Sequence, residues 1–123
     1  MTSAAYALPT EDDASARLAD CLKRCAAGEE AALRTLYDAT AAHLLGVAFD
    51  ILRHRGRAEE VLQDALLRIW QSAARYDPLQ SRPMTWLINI VRNRAIDVLR
   101  AQRAEQAQTV PLAAAPGDKV VDS

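Results

Sequence analysis

The sequence predicts an all-α protein, a compact bundle of about four helices. Three observations carry that expectation. Apolar residues recur at the 3.6-residue helical spacing through most of residues 13–104, and no segment alternates with the two-residue period of a strand. The four glycines and five prolines are few, and all but Gly46 fall at or beside the ends of periodic segments. Half of the residues are hydrophobic, yet alanine supplies much of that share and the aromatics are one Phe, two Trp and three Tyr, so the core should be thin and built from closely approaching helices. A length of 123 residues limits the chain to one domain.

Each element can be justified in order. Residues 1–12 show no periodicity and read as a flexible N-terminus. The first helix runs from about Asp13 to Ala26 and stops at Gly28, a natural C-terminal punctuation. The second begins near Glu29 and ends around Arg53–Gly56. Its apolar stripe is Leu33, Leu36, Tyr37, Leu44, Val47, Ala48 and Ile51, and Glu29 and Glu30 at its start and Arg53 at its end suit the helix dipole. The third spans about Ala58 to Ser72, with Val61 or Leu62, Ala65, Leu66 and Ile69 inward and Trp70 at one edge. A loop from Ala73 to Arg82 is punctuated by Pro78 and Pro83. Ser81 is the candidate cap of the fourth helix, with Pro83 in its first turn. That helix runs to about Arg103, burying Leu87, Ile90, Val91, Ala95 and Val98 and exposing Asn89, Arg92, Asn93, Asp97 and Arg100. Residues 105–123 hold two prolines and no period, and read as a linker or tail. The organisation expected is therefore 1–12 flexible, 13–104 helical domain, 105–123 tail.

Net charge is −1, but its distribution is uneven. Residues 1–30 hold three basic and six acidic groups, and residues 31–74 hold five of each. Residues 75–104 hold six arginines against Asp77 and Asp97. Every cation of this single positive block is Arg, the residue suited to phosphate and guanine contacts. An acidic-headed third helix followed by an Arg- and Asn-faced fourth suggests two partners, one basic and one a nucleic acid.

Several classes are excluded. There is no run of about 18 apolar residues to span a membrane, and MTSAAYALPTEDD lacks the basic start and apolar core of a signal peptide, so a soluble, cytoplasmic protein is expected. Cys21 and Cys25, four apart on one helix, are poorly placed for a disulfide, and His43 and His54 lie too far along the chain to complete a metal site with them. Both cysteines are expected to be reduced and structural. Glu59, Glu60 and Asp64 lack the inward Glu-x-x-His pair of a helical carboxylate metal site. No Gly-rich phosphate loop or nucleophile–base set exists. No enzyme activity, cofactor or metal is expected.

The segments AEEVLQDALLRIWQ (58–71) and YDPLQSRPMTWLINIVRNRAIDVLR (76–100), preceded by LYDATAAHLLGVAFDILRHRGRAEE (36–60), closely resemble region 2 of extracytoplasmic-function (ECF) sigma factors of the sigma-70 family, over roughly residues 26–104. The resemblance implies a factor that gives bacterial RNA polymerase its promoter recognition. It implies that Glu60, Gln63 and Asp64, extended by Arg68, dock on the β′ clamp of core polymerase. Exposed carboxylates and an amide one turn apart suit an Arg-rich partner helix. It further implies that the loop from Tyr76 to Arg82 captures a flipped base of the non-template strand at the −10 element, with Tyr76, Asp77, Gln80, Ser81 and Arg82 supplying suitable groups. In the fourth helix it implies that Asn89 and Asn93 read base edges while Arg92, Arg94 and Arg100 meet phosphates. Primary sigma factors carry two consecutive tryptophans where this chain has Trp86 and Leu87, so strand separation should be weaker, and Trp86 is expected to face the core. The family's second domain, which reads the −35 element, is absent from this sequence, so weak binding of promoter duplex is expected. An anti-sigma protein is an expected further partner. Two other readings remain. One is a helical adaptor that docks a partner without touching DNA. The other is a bundle that binds nucleic acid without polymerase, against which the acidic third helix argues.

Overall fold

Helix formation begins with local signals that the chain supplies at each boundary. A computed structural model describes residues 11–109, and among these the elements are α1 (Glu11–Ala26), α2 (Glu30–Leu52), α3 (Arg55–Ser72), a 3-10 turn (Ala73–Arg75) and α4 (Pro83–Thr109). The order is all-helical, as the periodicity predicts. Of the segments expected to be flexible, 1–12 and 105–123, residues 1–10 and 110–123 lie outside the described residues, whereas Glu11 and Asp12 already form the first turn of α1.

Gly28 ends α1 in the left-handed region, φ 90°. Its N–H donates to Cys25 O at 2.9 Å and that of Glu29 to Arg24 O at 3.0 Å, the paired bonds of a Schellman ending. Arg53 takes the left-handed conformation after α2, φ 54°, and its guanidinium lies 5.5 Å from the centre of the Phe49 ring. α3 starts at Arg55, three residues before the expected Ala58, because His54 caps it: its Nδ1 accepts from the Arg57 N–H at 3.1 Å. Gly56 makes room for that ring, since a Cβ there would meet His54 Cε1 at 3.1 Å.

Two expectations for α4 are corrected. Arg82 rather than Ser81 stands at its cap, because the Arg82 carbonyl accepts from the Trp86 N–H at 3.1 Å while Pro83 forms the first helical residue. The helix also continues past Arg103 and through residues 105–109, which the sequence reading assigned to a tail. Alanine, glutamine and glutamate propagate a helix without a core face, and Pro111 disfavours helical geometry at Val110.

The core is one layer shared by all four helices. α2 sends a strict line of every fourth residue inward, Ala32, Leu36, Thr40, Leu44, Ala48 and Leu52. Leu36, Leu44, Ala48 and Leu52 of this line cluster with Val61, Leu62, Ala65 and Ile69 of α3, Leu87, Val91 and Ala95 of α4, and Leu18, Cys21 and Leu22 of α1, while Ala32 packs with Cys25 and Ala73 in a smaller cluster. Ala48, Ala58, Ala65 and Ala95 are fully buried within the larger cluster, and side chains this small let helices pack closely. Thr40 is the one buried polar residue among the described residues, 1% exposed; its hydroxyl donates to Leu36 O at 2.8 Å, so burial leaves nothing unsatisfied. Cys21 and Cys25 are free and buried. Among the described residues no helix is long and apolar enough to cross a membrane.

Candidate nucleic-acid and partner interface

α3 lies between α2 and α4, so its exposed ridge is flanked by two grooves. Glu60, Gln63, Asp64, Leu67 and Arg68 are all exposed on that ridge. The carboxylate and amide residues therefore stand outward together, as the helix period requires. Glu59 beside them is engaged by Arg55, Nε to Oε2 3.1 Å.

The groove toward α2 is apolar at its floor. Leu33 and Tyr37 of α2 face Gln63, Leu66, Leu67 and Trp70 of α3 around a cavity of about 570 Å³. Leu67 is 57% exposed, an unusual position for a large aliphatic side chain between Gln63 and Arg68. Leu66, Leu67 and Trp70 join the ridge residues as candidate contacts that the sequence reading did not assign. The available signal was Leu67, which falls outside the inward stripe of α3.

The groove toward α4 is polar. Arg68, Gln71, Ser72 and Arg75 line it from the α3 side, and Ile90 and Asn93 line it from α4. Ser72 donates its hydroxyl to Arg68 O. Further toward the start of α3, Arg94 spans the two helices: its Nε and Nη2 lie 3.2 and 3.0 Å from Asp64 Oδ2. A residue expected on the polymerase side is thus bonded to one expected on the DNA side.

The expected nucleic-acid residues of α4 do not form one patch. Asn89, Asn93 and Arg100 share the outward face, since three, four, seven and eleven residues return a helix to nearly the same side. Arg92 is exposed on the flank away from α3, with Nη1 3.5 Å from Asn89 Oδ1. Arg94, about 100° beyond Asn93, points toward α3.

The loop between the 3-10 turn and α4 is braced from within. Tyr76 donates its hydroxyl to Ser81 O at 2.8 Å, tying the two ends of the loop, and its ring meets Trp86 edge-on at 5.5 Å between centres. Burial, with the nearby Asp77 carboxylate, pushes the Tyr76 hydroxyl above its ordinary pKa. Asp77 holds the turn: its Oδ1 accepts from the Leu79 N–H at 2.9 Å and its carbonyl from the Gln80 N–H at 3.0 Å. Tyr76 and Asp77 therefore shape the loop, whereas Gln80, Arg82 and Leu79 face solvent and Ser81 is half-buried. Leu79, 93% exposed at the tip, was missed by the sequence reading. Trp86 is half-buried against the core, as expected, and Leu87 is fully buried.

Residues 36–105 match the family model for sigma-70 region 2. Among curated proteins the chain is similar to the ECF RNA polymerase sigma factor SigK of Mycobacterium sp. (strain KMS), 36% identical over 101 residues, which covers 82% of this chain and 52% of that protein. It is also similar to the SigK proteins of Mycobacterium ulcerans (strain Agy99), 35% identical over 83 residues with 68% and 44% covered, and of Mycobacterium tuberculosis (strain ATCC 25177 / H37Ra), 31% identical over 101 residues with 82% and 54% covered. The chain spans about half the length of these relatives.

Proposed function

The chain belongs to the sigma-70 region 2 family, and on that premise we propose that it acts as the ECF-type sigma factor module that docks on the β′ clamp of core RNA polymerase and recognises and melts the promoter −10 element in transcription initiation. One observation carries the reading. The outward carboxylate and amide ridge of α3 stands beside the amide- and arginine-bearing face of α4, within one bundle, with a braced loop at the start of α4. Glu60, Gln63 and Asp64 supply acceptors for a basic partner helix, and the apolar groove beside them, with Leu67 and Trp70, supplies the desolvated contact such docking needs. Asn89 and Asn93 have the donor and acceptor pair that base edges require, and Arg92 and Arg100 the charge for phosphates. In the loop, Gln80, Ser81 and Arg82 follow the exposed Leu79, whose apolar surface suits an unstacked base. Position 87 is a buried leucine, so Trp86 is the only aromatic side chain α4 offers here, which supports modest strand separation. An anti-sigma protein that covers the α3 ridge would hold the module inactive.

The apolar α2–α3 groove also favours a second reading, a helical adaptor that docks a partner without DNA. Titration of the chain against bacterial core polymerase, with and without a −10 non-template single strand, separates the two. Tight core binding that creates sequence-selective strand capture supports the sigma reading; core binding with no strand selectivity supports the adaptor; absence of core binding removes the polymerase assignment.

A further inference from the structure

The arginines of the bundle fall into two sets. Arg24, Arg34, Arg53, Arg55 and Arg94 each sit within 4.0 Å of a carboxylate. Arg68 and Arg75, like Arg17, Arg57, Arg92, Arg100 and Arg103, do not: among the described residues none of these has an acidic side chain at ion-pair distance, and what sets Arg68 and Arg75 apart is that they share one groove. Both line the α3–α4 groove, a cavity of about 370 Å³ whose remaining walls are Gln71, Ser72, Ile90 and Asn93, with no carboxylate among them. Two unneutralised guanidiniums and two amides in a groove without an acid have the chemistry of an anion site.

We infer that Arg68 and Arg75 form a binding site for the sugar–phosphate backbone of DNA that seats the strand whose bases Asn93 meets. This rests on the sigma reading above and moves Arg68 from the polymerase-docking ridge to the DNA side. The groove favours a polyanionic strand over a single phosphate or an acidic peptide for two reasons. Arg68 lies in α3 and Arg75 in the 3-10 turn that follows it, about 10 Å apart or slightly more at the rises of those elements, which is more than one phosphate group can bridge and suits successive phosphates of one strand. The groove also opens directly onto Asn93 and thence onto the outward face of α4, so a backbone lying in it runs beside the residues suited to base edges. The site carries charge and no sequence information, which divides labour within one groove: Arg68 and Arg75 position, and Asn93 discriminates.

The test uses the full chain bound to core polymerase and a fluorescent fork-junction DNA carrying the −10 element, titrated at several salt concentrations. Arg68→Gln and Arg75→Gln should each leave core polymerase affinity and the helical circular-dichroism spectrum unchanged, weaken DNA binding several-fold at low salt, and reduce the slope of log K against log salt by about 0.7, the value for a single-strand phosphate contact. Discrimination between −10 and scrambled sequence should be unaltered, and Arg68→Lys and Arg75→Lys should restore the slope, because it counts charges rather than geometry. A loss of polymerase affinity in Arg68→Gln with an unchanged salt slope returns Arg68 to the docking ridge and overturns the site. Unchanged DNA affinity and slope in the double variant overturn it as well. A wild-type complex that shows no −10 preference overturns the sigma reading, and the site falls with it.

Discussion

Replacing Asp64 with Asn separates the two contacts that meet at this side chain. In the free chain its Oδ2 accepts from Arg94 Nε and Nη2 at 3.2 and 3.0 Å. The side chains are 52% and 31% exposed, so water screens the pair, and an ion pair this exposed contributes about 0.2–1 kcal/mol. Asn keeps an oxygen acceptor at the same point and forfeits only the charge, so the loss of stability should stay below about 1 kcal/mol, at most about 4–8 °C in Tm for a domain of this size. Lys at the same position would set an ammonium against the Arg94 guanidinium and mix damage to the fold with damage to docking, which makes Asn the cleaner probe. At the polymerase, a charge-assisted hydrogen bond is worth about 1.5–3 kcal/mol, or roughly ten- to a hundredfold in Kd. The assay is competitive titration of labelled chain against core polymerase, with urea unfolding measured on the same preparations. An Asp64→Asn chain that unfolds like the wild type and binds polymerase with unchanged Kd refutes the reasoning, because the charge of the carboxylate would then contribute to neither contact.

Four further outcomes are expected. Leu87→Ala, at a fully buried position where α4 meets α2 and α3, should cost about 2–5 kcal/mol by urea unfolding; a loss under about 1 kcal/mol would mean the site is not packed as described. Gly28→Ala adds a Cβ that meets nothing within 4 Å, so its cost is purely conformational, about 1–2 kcal/mol for the left-handed backbone, and a neutral result would remove the Schellman ending of α1. Burial pushes the thiols of Cys21 and Cys25 up, with Asp20 adding for the first and Cys21 for the second. A thiol pKa higher in the folded than in the unfolded state contributes stability that is fully present below the unfolded value and is lost as pH rises through the folded one. Tm should therefore fall as pH rises above about 8.5, and a Cys21→Ala, Cys25→Ala chain should show a flatter profile; identical profiles for both chains would count against the assignment. Asn93→Ala should reduce discrimination at the −10 element more than overall affinity, and an equal fall in both would make Asn93 a positioning contact.

Most of the fold was legible before any coordinates, and the reason is locality. The apolar periods of α2, α3 and α4, the stop at Gly28 and the proline at the start of α4 depend on residues within about four positions of one another, which is the reach of a helical hydrogen bond and of a cap. The errors had the same scale. The His54 cap was missed because His is an uncommon acceptor at that position, and α4 was cut short because residues 105–109 have propensity without an apolar face to display a period. Exposure of Glu60, Gln63, Asp64, Asn89, Asn93 and Arg100 was likewise readable, since a helix face is a property of one segment.

What lies between the helices was not readable. Asp64 and Arg94 are separated by 30 residues, and nothing in either segment indicates that the two meet. Leu33 and Tyr37 become a wall for Leu67 and Trp70 only because α2 packs on that side of α3. Arg68 leaves the acidic ridge for the company of Arg75 and Asn93 only because α4 packs on the other. Which way each helix turns its polar face toward its neighbours depends on packing angles set by the shared core of Leu36, Leu44, Ile69, Leu87 and Val91. Local sequence thus specified the helices and their outward chemistry, and the tertiary packing decided which of those groups act together.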